Sequence, residues 1–341
     1  MIARRITALL LACGLAAGTA GCGVFSEKGR QNYNADRPSP GASGSTSVGA
    51  APVPFDVRPL LHPAKKYLGL ATDGAPDSMA PASKFASMIG KQPNLVEYYS
   101  AWGDGFDTQG TEAAWSAGAL PYMAWEPKTT PLTDIAAGKS DSYIKEVATA
   151  IRDLDQPIAI SFGHEMNGLW TPWGVKHYSA ATFVAAWRHI HDVFQQVGAT
   201  SVIWVWSPNQ TNIAKAPLKP LWPGDGYADW IGIVGYYGQV GKTTFKGLFQ
   251  PTVKEIRAFT KKPVLLAETA APPGARKPAD IKDLFTTIGK RPDLIGFIWF
   301  NYHKPGRNET DWRVESDKAA EAAFRTEAAN PKFGFDPRSL K

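Results

Sequence analysis

The chain has 341 residues, of which 44% are hydrophobic and 20% are charged. This composition is typical of globular proteins, and the length suffices for one large domain. The net charge of +6 is mild, and no run of lysine and arginine is interleaved with aromatic residues, which argues against nucleic-acid binding.

Residues 1–21 have the pattern of an export signal peptide. Two arginines precede an apolar stretch over residues 6–17 that is too short to be a good membrane span, and small residues then lead to Cys22. The sequence Thr-Ala-Gly-Cys that ends at Cys22 resembles the lipobox of bacterial lipoproteins. This resemblance implies a lipid anchor on Cys22 and a position on the outer face of the cell membrane, with plain secretion as the alternative. Residues 22–58 are rich in glycine, serine, alanine and proline, which predicts a tether.

From residue 59 to residue 335, apolar runs alternate with helix-type patterns. The eight predicted strands cover residues 67–72, 95–102, 120–125, 158–164, 202–206, 231–236, 264–268 and 295–300. Helical patterns cover, among others, residues 141–154, 179–197, 251–260, 278–288 and 316–328. This alternation predicts an α/β fold, a (β/α)8 TIM barrel in a single domain, whose active site lies at the carboxyl ends of the strands. An open doubly wound sheet is the second possibility, but no GxGxxG or GxxxxGK[ST] motif follows the first strand.

The segment 157–174, PIAISFGHEMNGLWTPWG, joins a strand to a group of chemically reactive residues. Large apolar residues alternate with small ones from Ile158 to Gly163, at the two-residue period of a β-strand. If this alternation continues, Glu165 lies on the face with the small residues, which faces the lumen of a closed barrel.

A second carboxylate, Glu268, ends the seventh predicted strand, where Val264, Leu266 and Glu268 would share one face. Strands four and seven lie on opposite sides of an eight-stranded lumen, so Glu165 and Glu268 can converge on one substrate. A single glutamate at a strand end is more often part of a salt bridge or a helix cap. Two carboxylates that face each other across a cleft are what glycoside hydrolysis requires.

Further polar and aromatic residues follow the predicted strand ends, as expected for a sugar site in which indole rings stack on the C–H faces of pyranoses. The candidate substrate-binding residues are Trp102, Trp125, Glu126, His164, Asn167, Trp170, Trp173, Asn209, Tyr236 and Trp299. No metal site is expected, because His164-Glu165 would need a second histidine where Gly168 stands to complete HExxH. No cofactor is needed, because two carboxylates suffice for the reaction.

The segment GHEMNGLWTPWG resembles the acid/base segment of glycoside hydrolase family 26, a clan A family of retaining endo-β-glycanases. The resemblance extends over residues 66–316 and includes AETAA around Glu268, AWEPK around Glu126, WVWSPN ending at Asn209, and GYYG with Tyr236. It implies that Glu165 is the acid/base, that Glu268 is the nucleophile contacted by Tyr236, and that Trp299 forms the floor of the sugar subsite next to the cleaved bond.

The function implied is a retaining endo-β-glycosidase that hydrolyses β-1,4-mannan or mixed-linkage β-glucan. The residues Asp311-Trp312-Arg313 are closer to the glucanase-like branch of the family. The alternative is a non-catalytic, surface-anchored barrel that binds glycan. We expect a monomer whose partners are its polysaccharide and, through the lipid on Cys22, the membrane.

Overall fold

The computed structural model describes residues 54–238, 241–303 and 310–340. Eight parallel strands form one closed barrel in the order of the chain, and β8 pairs with β1. The strands are β1 Tyr67–Ala71, β2 Leu95–Ala101, β3 Leu120–Glu126, β4 Ile158–Phe162, β5 Val202–Trp206, β6 Trp230–Val234, β7 Val264–Thr269 and β8 Leu294–Phe300. The predicted (β/α)8 architecture is therefore confirmed, and each predicted strand overlaps an observed one.

Helices surround the barrel, and the five helical segments predicted with bounds overlap α5, α6, α8, α9 and α10. They are α1 Arg58–Leu61, α2 Ala80–Ile89, α3 Thr108–Ser116, α4 Leu132–Ala136, α5 Asp141–Leu154, α6 Ala180–Val197, α7 Phe245–Leu248, α8 Gln250–Ile256, α9 Lys277–Lys290 and α10 Lys318–Ala328. The helix α6, for example, begins after Ser179, whose hydroxyl accepts from the N–H of Thr182, and ends at Gly198 in the left-handed conformation. The connection from β5 to β6 contains only the 3-10 turn Lys219–Leu221.

The core has two layers, because alternate residues of each strand face opposite sides. On β4, Ile158, Ile160 and Phe162 pack outward against the helices, whereas Ala159 packs inside the barrel. The small residue Ser161 also faces inward, where its hydroxyl donates to the hydroxyl of Ser207 at 2.7 Å. The predicted alternation of this strand is therefore present as far as Phe162.

The amino-terminal mouth of the barrel is closed by the segment that precedes β1. The phenol of Tyr67 and the indole N–H of Trp230 donate to the carbonyls of Leu60 and Leu61 in α1, at 2.9 and 3.1 Å. Phe55 also packs against this inner cluster. The domain therefore includes residues 54–58, which the sequence assigned to the tether, and continues past residue 335 to Leu340.

The signal peptide, Cys22 and most of the predicted tether lie outside the described residues. Within the described ranges, no helix combines the length and the apolar character needed to cross a membrane.

Candidate active site

The first candidate carboxylate, Glu165, lies in a tight turn rather than on a continuation of β4. The strand ends at Phe162, and both Gly163 and Glu165 have a φ of +56°. A left-handed conformation costs a residue with a side chain about 1 kcal/mol. Two backbone bonds hold it, from the Glu165 N–H to the Ser207 carbonyl at 2.7 Å and from the Gly168 N–H to the Glu165 carbonyl at 2.8 Å. Strain at one functional residue is typical of an active site.

Two neutral donors bind the carboxylate of Glu165. The indole N–H of Trp170 donates to Oε2 at 2.7 Å, and the side-chain amide of Asn209 donates to Oε1 at 2.5 Å. Burial raises the pKa of Glu165 above its usual value, and the two hydrogen bonds oppose this rise because they stabilise the charged form. A raised pKa is what a carboxylic acid needs in order to donate a proton near neutral pH.

The second carboxylate, Glu268, reaches the lumen because β7 contains a bulge. Leu265 and Ala267 face inward and Val264 and Leu266 face outward, so regular alternation would direct Glu268 outward. The pairing of β7 with β6 changes register before Glu268, and the pairing with β8 changes after Leu266. The extra residue turns Glu268 inward, as bulges beside active sites commonly do. The predicted shared face of Val264, Leu266 and Glu268 is therefore wrong, although Glu268 does face the lumen.

Two phenols bind the carboxylate of Glu268, one on each oxygen. Tyr236, just after β6, donates to Oε1 at 2.5 Å, and Tyr99 of β2 donates to Oε2. The side chain is almost fully buried, with 7% of its surface exposed. Burial raises the pKa of Glu268, and the nearby Glu165 raises it further, whereas His164 and the two phenols lower it.

A third carboxyl, Glu97, lies on the same face of β2 as Tyr99. It is 3% exposed, and its Oε2 has no hydrogen-bond partner among the described residues. Burial raises the pKa of Glu97 well above its usual value, and the charges of Glu268 and Glu126 add to this effect. Glu97 is therefore the carboxyl of the lumen for which ionisation is least favourable, and Glu268, with two phenols and a nearby imidazole, is the best supported as an anion.

Tyr99 and Glu97 are not among the residues predicted from the sequence, because the prediction rests on residues at strand ends. The signal was present in β2, LVEYYSA, where Glu97 interrupts a run of buried apolar residues. A charged residue in such a run is seldom fully buried without a specific role or partner.

Two predicted binding residues support the Glu165 turn through hydrogen bonds to backbone atoms. Both side-chain amide atoms of Asn167 bond to the backbone of Asn209, at 2.8 and 2.9 Å, and so hold the residue that binds Glu165. The indole N–H of Trp173 donates to the carbonyl of His164 at 2.6 Å, and the Trp173 ring is buried. Asn167 and Trp173 therefore hold the backbone of the site, and their direct contact with sugar stays a prediction.

Three predicted tryptophan platforms do not face the cleft, because their rings lie between the barrel and its helices. Trp299 is fully buried and packs edge-on against Phe324 of α10, with centroids 5.3 Å apart. Trp125 is fully buried and stacks on Trp102 at 4.4 Å. Trp125 and Trp299 occupy outward positions of β3 and β8, and Trp102 directly follows the last residue of β2. In each case the preceding residue faces inward. Closeness to a strand end therefore does not place a ring in the cleft, because the face of the strand on which the residue lies decides its direction.

The remaining predicted residues do reach the site. Trp170 is 42% exposed, which leaves a ring face open beside Glu165. His164 lies between Tyr99 and Trp173, with ring centroids 6.0 and 5.6 Å away, and its Nδ1 has no hydrogen-bond partner among the described residues. Glu126 ends β3 and pairs with Lys128 at 2.8 Å.

Other aromatic rings lie beside Glu268 in the places where Trp299 was expected. Phe300, the inward neighbour of Trp299, contacts Tyr236 and Tyr302, with centroids 5.7 and 4.6 Å away. Trp312, from the loop after β8, packs on Tyr236 at 4.7 Å. These half-buried rings are the aromatic wall on the Glu268 side. Across the described ranges, no group of three or more histidine, cysteine or carboxylate residues could hold a metal ion.

The sequence model of glycosyl hydrolase family 26 matches residues 134–328, which is more than half of the chain. This chain belongs to glycosyl hydrolase family 26. Both candidate glutamates lie inside the matched range.

Two curated relatives match this chain over part of a longer protein. The chain is 30% identical over 267 residues to Endoglucanase H of Acetivibrio thermocellus, which covers 74% of this chain and 29% of that protein. It is 24% identical over 163 residues to the mannan endo-1,4-beta-mannosidase A and B of Caldalkalibacillus mannanilyticus, covering 45% of this chain and 30% of that protein. The chain thus spans less than a third of the length of these two relatives.

Solved structures with this barrel are similar in fold. The catalytic domain of the family 26 endo-beta-1,4-mannanase of Bacillus sp. JAMB-750 superposes with a TM-score of 0.62 at 14% identity, covering 81% of this chain and 88% of that chain. A beta-mannanase of Bacteroides ovatus has a TM-score of 0.60 at 19% identity, covering 82% of this chain and 92% of that chain.

Proposed function

We propose that this family 26 domain is a retaining endo-β-glycosidase that hydrolyses a β-linked polysaccharide by double displacement. The observation that carries the proposal is the pair of carboxyls in the turn after β4 and at the end of β7, each held by its own set of donors. Glycoside hydrolysis by retention needs one carboxylic acid and one carboxylate at the same bond.

In the first step, a carboxylate oxygen of Glu268 bonds to the anomeric carbon while the bond from that carbon to the leaving oxygen breaks. Glu165 gives its proton to the leaving oxygen. In the second step, Glu165 takes a proton from water, the water oxygen bonds to the anomeric carbon, and Glu268 is released as the carboxylate. Burial raises the pKa of both carboxyls, and their surroundings support this division, because Glu268 has the nearby His164 and a phenol on each oxygen to stabilise its anion, whereas among the described residues Glu165 has two neutral donors alone.

The substrate that we propose first is mixed-linkage β-glucan, with β-1,4-mannan second. The match to an endoglucanase spans more of the chain, at higher identity, than the match to the mannosidase, and Asp311-Trp312-Arg313 points the same way. The test is reducing-end release from barley glucan, glucomannan, galactomannan and β-1,3-xylan, with Glu165→Gln as the blank. The proposal is supported if the wild type releases reducing ends from one of these polymers and Glu165→Gln does not.

The nucleophile is tested with Glu268→Ala in a folded protein. We expect turnover to be abolished, and added azide to restore part of it with a glycosyl azide of inverted configuration as product. For the wild type we expect a product of retained configuration, which NMR of the anomeric proton follows. A folded Glu268→Ala variant that keeps its activity, or an inverted wild-type product, contradicts the mechanism.

The second candidate is a glycan-binding barrel without catalysis. The open ring face of Trp170 beside a polar cleft is the observation that favours it. Binding of one of the four polymers in affinity electrophoresis, without any reducing-end release, would support this candidate.

We also propose that the mature protein is a monomer attached to the outer face of the cell membrane through a lipid on Cys22, with secretion as the alternative. Cys22→Ser should move the full chain from the detergent phase to the aqueous phase in a Triton X-114 partition. An unchanged partition contradicts the lipid anchor.

A further inference from the structure

Among the described residues that donate a hydrogen bond to Glu268, Tyr99 comes from across the barrel. It lies on β2, and β1 and β8 separate β2 from β7 in the sheet. Its phenol donates to Oε2 of Glu268, whereas Tyr236, from the neighbouring strand β6, donates to Oε1. The carboxylate is therefore held from two sides, with one neutral donor on each oxygen.

The charges around Glu268 make these donors important. Other carboxyls face the same lumen, among them Glu97 from β2 and Glu165 from the turn after β4. His164 is the basic group whose charge favours the anion, and no lysine or arginine in the described ranges forms an ion pair with Glu268. A buried anion needs hydrogen bonds from its surroundings, because it has lost those from water.

We propose that Tyr99 is a positioning residue for Glu268, and that its phenol fixes Oε2 and stabilises the anion beside other carboxyls. The catalytic role of Tyr99 rests on the proposed function, whereas its hydrogen bond to Glu268 does not. Through Tyr99, strand β2 contributes to the reaction in addition to the two strands that precede or carry the catalytic carboxyls.

The surroundings of Tyr99 suit it to this role. Its ring lies against His164 and Tyr302, with centroids 6.0 and 6.4 Å away, so the direction of the phenol is fixed by packing. Burial and the nearby carboxylates raise its pKa well above the usual value, so it remains a neutral donor. Glu97 lies two residues earlier on the same inward face.

One phenol on each oxygen also has a consequence during the reaction. When one oxygen of Glu268 bonds to the anomeric carbon, that oxygen loses most of its negative charge, and its phenol loses its acceptor. The other oxygen becomes the carbonyl of the ester and can keep its phenol. The carboxyl group is thus oriented before and after the bond forms.

The direct test is the pKa of Glu268 in the domain labelled with ¹³C at the glutamate side-chain carboxyl and followed by NMR. The signal is assigned by its absence in Glu268→Gln. In Tyr99→Phe we expect the pKa of Glu268 to rise by about one unit, because the anion loses one hydrogen bond. Repeating the titration in the Glu97→Gln background removes the neighbouring acid, and the shift should persist.

The matched control is Tyr122→Phe, which also removes a buried phenol from the lumen. Its hydroxyl lies 3.1 Å from that of Ser207, and among the described residues it makes no bond to a carboxyl. We expect the pKa of Glu268 in this variant to stay within a few tenths of a unit of the wild-type value. No shift in Tyr99→Phe, or an equal shift in Tyr122→Phe, overturns the inference.

The activity arm separates this inference from the proposed function. On a polymer that the wild type cleaves, the acid limb of kcat/KM should move upward in Tyr99→Phe, while the alkaline limb stays in place. If the wild type cleaves nothing, the proposed function fails while the NMR shift still decides the role of Tyr99.

If Tyr99→Phe does not fold, 3-fluorotyrosine at position 99 keeps a more acidic phenol. The pKa of Glu268 should then fall below the wild-type value, and an unchanged or higher value overturns the inference.

Discussion

Replacing Trp170 by phenylalanine should make Glu165 a weaker acid without disturbing Glu268. The indole N–H donates to Oε2 of Glu165 at 2.7 Å, and phenylalanine keeps a ring but no donor. A hydrogen bond to a charged group contributes about 1.5–3 kcal/mol. Because Trp170 is 42% exposed, water can replace part of this bond, and we take about 1 kcal/mol. That energy corresponds to an upward shift of about 0.7 units in the pKa of Glu165.

The assay is the pH dependence of kcat/KM, which reports the ionisations of the free enzyme. Glu165 must carry its proton, so its pKa sets the alkaline limb. This limb should move to higher pH by about 0.7 units, while the acid limb, set by Glu268, stays in place. Leu169→Ala is the control, since Leu169 is a comparably exposed neighbour. An alkaline limb that does not move, or that moves to lower pH, would refute the assignment of Glu165 as the acid.

Three further substitutions test other parts of the structure. Trp299→Phe should lower the free energy of unfolding in urea by about 1–2 kcal/mol and leave kcat/KM unchanged, since the ring packs on Phe324 rather than in the cleft; a large loss of activity at normal stability would contradict this. Glu97→Gln should become more stable relative to the wild type as pH rises. Because the pKa of Glu97 is raised in the folded state, the free energy of unfolding of the wild type falls by up to about 1.4 kcal/mol per pH unit from about pH 4.3 upward, whereas glutamine does not titrate. A stability difference that is constant from pH 4 to 9 would count against a neutral Glu97. Asn167→Ala should cost about 2 kcal/mol of stability and also reduce kcat, because it removes both hydrogen bonds to the backbone of Asn209; unchanged kcat would mean that Asn209 is held by other contacts.

The strands and the order of the barrel could be predicted because they depend on local patterns. Short apolar runs separated by helical patterns leave few arrangements other than a parallel sheet covered by helices. The alternation in β4 could be read directly, since large residues face the helices and small ones face a narrow lumen. The candidate pair Glu165 and Glu268 also followed from the sequence, because a carboxylate at the end of an apolar strand stands out.

The direction of each side chain in the site could not be predicted with the same certainty. A bulge of one residue in β7 reverses the face of Glu268, and no pattern in PVLLAETAA marks it. The turn after β4 places Glu165 through a left-handed backbone rather than by alternation.

The sequence by itself determined the eight-stranded barrel, the two strands that carry the candidate carboxylates, and the residue types around them. Only the tertiary structure decided which aromatic rings face the cleft, turning Trp299 and Trp125 toward the helices and bringing Tyr99 across the lumen to Glu268. The physical reason is the two-residue period of a strand. A shift of one position moves a side chain from the lumen to the helix layer, and contacts between distant strands leave no local trace in the chain.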